Sequence, residues 1–250
     1  MKSRGYGAVP RKSTGVMGLD DKMEGGFVDK SVVLVRGKAG TGKTAFCSSF
    51  LYKGAMEGEP GLFVTTEEET GDIKDDMKSM FGWDFDSLEK EGLIRFLSIR
   101  PVVAANIKRE DIDQNIRFYL VDLFNKISES IKSSNAKRVV IDTVSIIEMF
   151  VHNRYVSRVN LMNLTKKLKD LGVTAIITEG VAEEGGLLGD EAMTEFIADA
   201  VIRLDFVPVS ERFKRTLMIN KMRRTDHSTF ILPFDITKNG LRLAEISNEK

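Results

Sequence analysis

Cysteine is all but missing from this chain. Cys47 stands alone among 250 residues, so no internal disulfide is possible. Its neighbours, Ala45, Phe46 and Ser48, are small or apolar, which suits packing better than redox chemistry. The pattern is that of a reducing, cytoplasmic setting. Net charge is missing too. Lys plus Arg (37) offset Asp plus Glu (37), which argues against a protein built mainly to coat nucleic acid but leaves room for a local basic patch. No apolar run approaches the length of a bilayer crossing, so no membrane partner is expected. The start, Met1-Lys-Ser-Arg-Gly-Tyr-Gly, lacks the apolar stretch of a secretory leader. Internal repeats, low-complexity segments and linkers are also absent. What is left is a 42% hydrophobic, 30% charged composition, the balance of a globular chain long enough to bury a full core.

Short apolar runs alternate with amphipathic stretches from Ser13 onward. Runs at 32–36, 62–66, 94–98, 138–142, 173–178 and 200–206 are rich in Val, Ile, Leu or Phe and too short for helices, so they predict strands. The first five read as strands buried on both faces. Residues 114–133 carry Ile116, Leu120, Leu123, Phe124, Ile127 and Ile131 at three- and four-residue steps. Residues 157–171 carry Leu161, Leu164, Leu168 and Leu171 on one face. Both spacings predict helices. Such alternation predicts an α/β fold, a mostly parallel sheet flanked by helices. After Val201 the pattern changes. Residues 215–220, 229–234 and 241–244 follow without helices, and predict antiparallel strands on one edge. Residues 1–12 read as a flexible basic tail and residues 13–246 as one domain.

Four segments carry chemistry. The first is Gly37-Lys38-Ala39-Gly40-Thr41-Gly42-Lys43-Thr44, placed between the apolar run 31–35 and a helix expected to begin at Ala45. Strand, glycine-rich turn and helix in that order make a phosphate cradle. The glycines let backbone N–H groups fold around an anionic oxygen, and the helix N-terminus adds a favourable dipole. Lys43 can reach the β- and γ-phosphates, and the Thr44 hydroxyl can ligate Mg²⁺. The second is Glu67-Glu68-Glu69 at the end of an apolar strand, the edge where open α/β sheets bind ligands. Glu67 is favoured as the base that activates water, with Glu68 second, because successive side chains on a strand point to opposite faces. A solvated helix N-terminus explains the same carboxylates without any catalysis, and Glu69 fits that role. The third is Asp142, which ends the run Arg138-Val-Val-Ile. Beside a phosphate loop such a carboxylate supports the metal near Thr44, although a helix cap or turn has the same look. The fourth is Lys221-Met222-Arg223-Arg224-Thr225-Asp226-His227. It is either a solvated basic turn or a cationic hand placed on a neighbouring subunit's phosphates.

Read together, these segments resemble the KaiC branch of the RecA-type ATPases. The resemblance rests on Ser13-Thr-Gly-Val-Met-Gly-Leu-Asp20 with Gly25-Gly26, the phosphate loop, Phe63-Val-Thr-Thr-Glu67-Glu68 and Phe81-Gly-Trp-Asp84 with Glu91-Gly92. It extends through Leu168-Lys-Asp-Leu-Gly172 leading to Thr178-Glu179, then Glu195-Phe196 before Asp199, and Lys221-Met222-Arg223 with His227. It implies a RecA-like P-loop core that binds ATP or ADP with Mg²⁺. The loop residues 37–44 and Ala45 would contact nucleotide, and Thr44 with Asp142 would serve the metal. Glu67, Glu68, Lys43 and Arg223 would carry hydrolysis. Lys221, Met222, Arg223, Thr225 and His227 would reach the nucleotide of an adjacent copy, in a homo-oligomer with six members to a ring. The sequence departs from the cyanobacterial clock protein in having one such domain where that protein has two. Glu195-Phe196 stands where the second domain of that protein has its autophosphorylated Ser and Thr, which puts autokinase activity in doubt. Asp29-Lys30 replaces a glycine turn common among relatives.

The leading expectation is therefore an oligomeric Mg²⁺-ATPase that switches or scaffolds an unidentified protein partner. A recombinase-like DNA-binding ATPase is the alternative from the same fold. Its loops would be 150–158, with His152, Arg154, Tyr155 and Arg158, and 181–191, whose Glu183, Glu184, Asp190 and Glu191 would repel a phosphate backbone. A nucleotide-sensing scaffold with negligible turnover is the third, and the paired glutamates argue against it.

Overall fold

The computed structural model describes residues 9–100, 109–145, 147, 154–181, 195–209 and 212–244. Strands β1 (Arg11–Lys12) and β2 (Phe27–Val28) pair antiparallel as a small separate ribbon. Arg11 and Lys12 are thus paired backbone rather than tail; residues 1–8 of the expected tail lie outside the described residues. The main sheet is built from β3 (Val32–Gly37), β4 (Gly61–Thr65), β5 (Ile94–Ser98), β6 (Arg138–Asp142), β7 (Thr174–Gly180), β8 (Ala200–Val209), β9 (Arg212–Met222), β10 (Leu232–Thr237) and β11 (Gly240–Leu243). Helices α1 (Lys43–Met56), α2 (Thr70–Phe81), α3 (Phe85–Lys90), α4 (Arg109–Ser134) and α5 (Arg154–Asp170) cover it. The strand order is β11-β10-β9-β8-β3-β7-β6-β4-β5. From β8 to β5 all neighbours are parallel, and β9 to β11 add antiparallel strands at one edge.

Side chains of β3 alternate between two cores, as the period of a strand requires. Val33 and Val35 join Phe46 and Phe50 of α1, and Phe63, Val140 and Ile176 from neighbouring strands. Val32 and Leu34 join Leu123 and Ile127 of α4 and Leu164 and Leu168 of α5. Both stripes expected on α4 and α5 are buried at Leu120, Leu123, Ile127, Ile131, Leu161, Leu164 and Leu168. The side chain of Ile116 lies outside the described residues. Strand β5 corrects one expectation. It is the edge of the sheet, so Arg95 and Ser98 are exposed and Phe96 and Leu97 only half-buried.

Arg138, at the start of β6, is the largest fully buried side chain. Its guanidinium meets Glu59 at 2.7 Å and Glu57 at 2.6 Å. It also donates to the carbonyls of Ser13 (2.7 Å) and Phe50 (2.9 Å) and lies 4.8 Å from the Phe50 ring. A buried charge is tolerated only when paired and hydrogen-bonded in this way. The contacts fasten the end of α1 to β6, and so fix the helix that begins at Lys43 against the strand that ends at Asp142.

Candidate functional site

Central strand β3 runs straight into the glycine loop, and α1 starts at Lys43 on its far side. The backbone turns there through Gly40 (φ 75°) and Gly42 (φ 102°), a region that L side chains enter only at a cost. At Gly37 the constraint is space. A Cβ would fall 2.6 Å from the Leu204 carbonyl and 2.7 Å from the Thr41 hydroxyl. Thr41 is fully buried and donates to the Lys38 carbonyl at 2.8 Å, which locks the bend. Lys43 donates to the carbonyls of Gly37 (2.8 Å) and Lys38 (3.0 Å), so its ammonium is folded over the loop. Burial lowers the Lys43 pKa, opposed by the nearby charges of Asp142 and Glu67. Lys38 is half-buried, Ala39 exposed, and Ala45 packs its side chain into the core. Ala45 therefore offers a ligand only its backbone.

Thr44 and Asp142 come together across the gap between α1 and β6. The Thr44 hydroxyl donates to Asp142 Oδ2 at 2.8 Å, and Thr178 of β7 donates to Oδ1 at 2.5 Å. With its proton committed to Asp142, the Thr44 oxygen keeps lone pairs for a cation. A hydroxyl and a carboxylate are an all-oxygen donor set, which fits Mg²⁺. The Asp142–Thr143 peptide is cis. Thr66 holds this turn, accepting from Thr143 N–H at 3.1 Å and donating to the Thr143 carbonyl at 2.9 Å.

β4 ends at Thr65, and Glu67 and Glu68 follow in a bend where the sequence predicted a continuing strand. Thr65 closes the bend, its hydroxyl accepting from the Glu68 N–H at 3.1 Å and donating to the Glu68 carbonyl at 3.0 Å. The pKa of Glu67 is raised, first by loss of hydration around its carboxylate and then by Asp142, while Lys43 pulls it down. That of Glu68 is also raised by desolvation and by Asp142, with added repulsion from Asp76 and Asp72 of α2. Both glutamates feel Asp142, and Glu67 also feels the Lys43 ammonium folded over the loop. Glu69 is the N-cap residue of α2 and pairs with Arg100.

The cationic segment lies elsewhere. Gly37 is level with Leu204, whereas Met222 pairs with Ala200, which is level with Val33. Lys221–His227 therefore begins at the opposite end of the sheet from the phosphate loop of its own chain. Lys221 donates to the carbonyls of Glu195 (2.9 Å) and Ala198 (2.7 Å). Burial lowers its pKa, reinforced by Arg223. Arg223 is exposed, and Thr225 accepts from Arg11 at 3.1 Å. His227 Nδ1 sits 3.1 Å from the Ser228 carbonyl, and the Met222 side chain is in the core. Of the loops considered for DNA, 150–153 and 182–191 lie outside the described residues; Tyr155 and Arg158 are exposed on α5.

Three participants escaped the sequence reading. Thr178 and Thr66 are single hydroxyls at strand ends, and only the strand order brings them to Asp142. Arg215 lies 5.3 Å over the Phe206 ring and reaches the Gly40 carbonyl at 3.4 Å. An arginine at alternating spacing inside an apolar strand was its only signal.

A parallel sheet whose central strand ends in this loop, with a lysine, a hydroxyl and carboxylates beyond the strand ends, defines a P-loop nucleotide-binding protein with a RecA-like ATPase fold. The chain belongs to the KaiC ATPase family, whose sequence model, "ATPase: KaiC", matches residues 12–248. It is 35% identical over 243 residues to a UPF0273 protein of Methanopyrus kandleri, covering 94% of this chain and 92% of that one. It is 36% identical over 236 residues to the circadian clock oscillator protein KaiC of Parathermosynechococcus lividus, covering 94% of this chain but 42% of KaiC. The chain thus spans less than half the length of that clock protein. The crystal structure of a KaiC-like protein from Pyrococcus horikoshii superposes with a TM-score of 0.77 at 38% identity, covering 95% of this chain and all of that one. Among the described residues no helix is long and apolar enough to cross a membrane.

Proposed function

We propose that the chain is a Mg²⁺-dependent ATPase that works as an oligomer, in a ring of six with nucleotide between subunits, and acts as a nucleotide-driven switch or scaffold for a protein partner. The observation that carries this reading is the meeting of Lys43, Thr44, Asp142 and Glu67 beyond the ends of β3, β6 and β4. Loop N–H groups and the α1 N-terminus would bind phosphate oxygens. Lys43 would add a positive charge at the β- and γ-phosphates, and Thr44 with Asp142 would hold the metal. Bound there, Mg²⁺ would neutralise charge that develops on the phosphate oxygens. Glu67 would accept a proton from the attacking water; its raised pKa makes it a stronger base than an ordinary glutamate. Glu68 would be second to it, its own carboxyl raised by Asp142 and by Asp76 and Asp72 of α2.

The position of Lys221 and Arg223 supports action between subunits. A chain cannot bring cations from one end of its sheet to a loop at the other, but a neighbouring copy can. Lys43→Ala should abolish ATP hydrolysis; unchanged hydrolysis would overturn the site. Light scattering on the same samples should show a ring-sized species with ATP, and a monomer at every nucleotide state would remove the oligomer.

A further inference from the structure

Residues 195–199 lead into β8 and touch both β3 and the cationic segment that follows β9. At one end Glu195 is held by Arg36, the residue before Gly37, through a 2.8 Å ion pair. Arg36 is buried and pairs also with Glu179 of β7 at 2.6 Å. At the other end Asp199 accepts the Val32 N–H at 3.0 Å and pairs with Lys169 at 2.8 Å. Its backbone N–H donates to the Val32 carbonyl at 2.8 Å. Both ends are therefore pinned to β3. Backbone carbonyls of the same segment hold the cationic hand. Carbonyls of Glu195 and Ala198 take two N–H donors of Lys221, and the Asp199 carbonyl takes the Arg223 N–H at 2.9 Å. An ammonium has three donors, so Lys221 keeps one for a further acceptor.

We infer that Glu195, locked by Arg36, is a positioning residue that serves the nucleotide of the adjacent subunit and not that of its own chain. Its side chain sits one residue from its own phosphate loop by way of Arg36, so proximity alone assigns it to that loop. Its carbonyl instead accepts from Lys221, while Arg223 is held four residues on, by the Asp199 carbonyl. The ion pair fixes the Glu195 carbonyl, the carbonyl fixes Lys221, and a fixed ammonium meets a neighbour's phosphate without a further ordering cost. This inference rests on the proposed exchange of cations between subunits.

Subunit mixing tests it. Glu195→Gln removes the charge at nearly constant shape, and Glu195→Asp keeps the charge but shortens its reach. Each should lower turnover by roughly tenfold to a hundredfold, the scale of a small misplacement in an active site. Binding of a fluorescent ATP analogue should change by less than about threefold, because uniform binding is untouched. Mixed with Lys43→Ala subunits, which have a dead loop but an intact segment 195–199, both Glu195 variants should regain per-site turnover. Arg223→Ala run in parallel should regain it too. Rescue of Arg223→Ala without rescue of Glu195→Gln would assign Glu195 to its own loop and overturn the inference. Failure to rescue either would remove the exchange between subunits. Wild-type turnover in both Glu195 variants would show that the lock positions nothing. Thermal melts identify a variant that does not fold, in which case Glu195→Asp carries the comparison.

Discussion

Gly54→Ala pits a local rule against the buried arginine. Gly54 lies in the last turns of α1, with a helical backbone, and Ala in a helix interior is favoured over Gly by about 1 kcal/mol. Here the added Cβ would stand 2.4 Å from Cδ and 2.5 Å from Nε of Arg138. To reach ordinary contact the arginine must move by about 1 Å. It is held by Glu59 at 2.7 Å, Glu57 at 2.6 Å and the Ser13 and Phe50 carbonyls at 2.7 and 2.9 Å. Overpacking alone costs roughly 1–3 kcal/mol, and loosening hydrogen bonds to a charged group adds about 1.5–3 kcal/mol. Against the propensity gain, the net should be a loss of about 2–4 kcal/mol. For a chain of this size that is a fall in melting temperature on the order of 10 °C. Urea and thermal unfolding followed by circular dichroism would measure it. In an Arg138→Met background the penalty should shrink, because the thioether stem is free to bend. An unchanged or higher midpoint for Gly54→Ala would refute the argument that Arg138 is locked.

Glu67→Gln should lower turnover by about 10²- to 10⁴-fold while nucleotide still binds, and near-normal turnover would move the role to Glu68. The same variant should melt higher at neutral pH. A carboxyl whose folded pKa is raised stabilises the fold below its unfolded pKa and loses that contribution as pH rises through the folded value. The gain from Gln should therefore vanish below the ordinary carboxylate range, and a pH-independent gain would contradict the assignment. The acid limb of the wild-type pH–rate profile should lie above that of an ordinary glutamate. Asp142→Asn should shift the limb that remains to lower pH, because Asp142 is one source of the raised value.

Several elements could be read from the residues because local rules and the fold agree there. Strands over 94–98 and 138–142 fall at the residues expected from their apolar runs. The helix expected from Ala45 begins two residues earlier, so Lys43 and Thr44 stand in the first turn of α1, and its end at Met56 falls where expected. Cys47 is buried in the core among Phe46 and Phe50. What could not be read depends on neighbours distant in sequence. An apolar run does not say whether its strand is central or at an edge, so β5 was expected to be buried on both faces. The bond from Thr178 to Asp142 exists only because β7 lies beside β6. Arg138 reads as an ordinary charged start to a strand until Glu57, Glu59 and Ser13 surround it. The strands expected over 200–206 and 215–220 were set too short, because the β8–β9 hairpin runs on past the core where its side chains are exposed, and those expected over 229–234 and 241–244 fall instead at 232–237 and 240–243.

Strand order also dictates when the phosphate loop can exist. β3 carries residues 32–37, but its partners on either side are β7, residues 174–180, and β8, residues 200–209. During synthesis the apolar stretch Val32–Val35 has no flanking strand until most of the chain has been made. Pairing across such separations is slow, and unpaired apolar strands are prone to stick to one another. A growing chain should therefore be unable to hold nucleotide until β8 arrives, and until then it is a natural client for a chaperone.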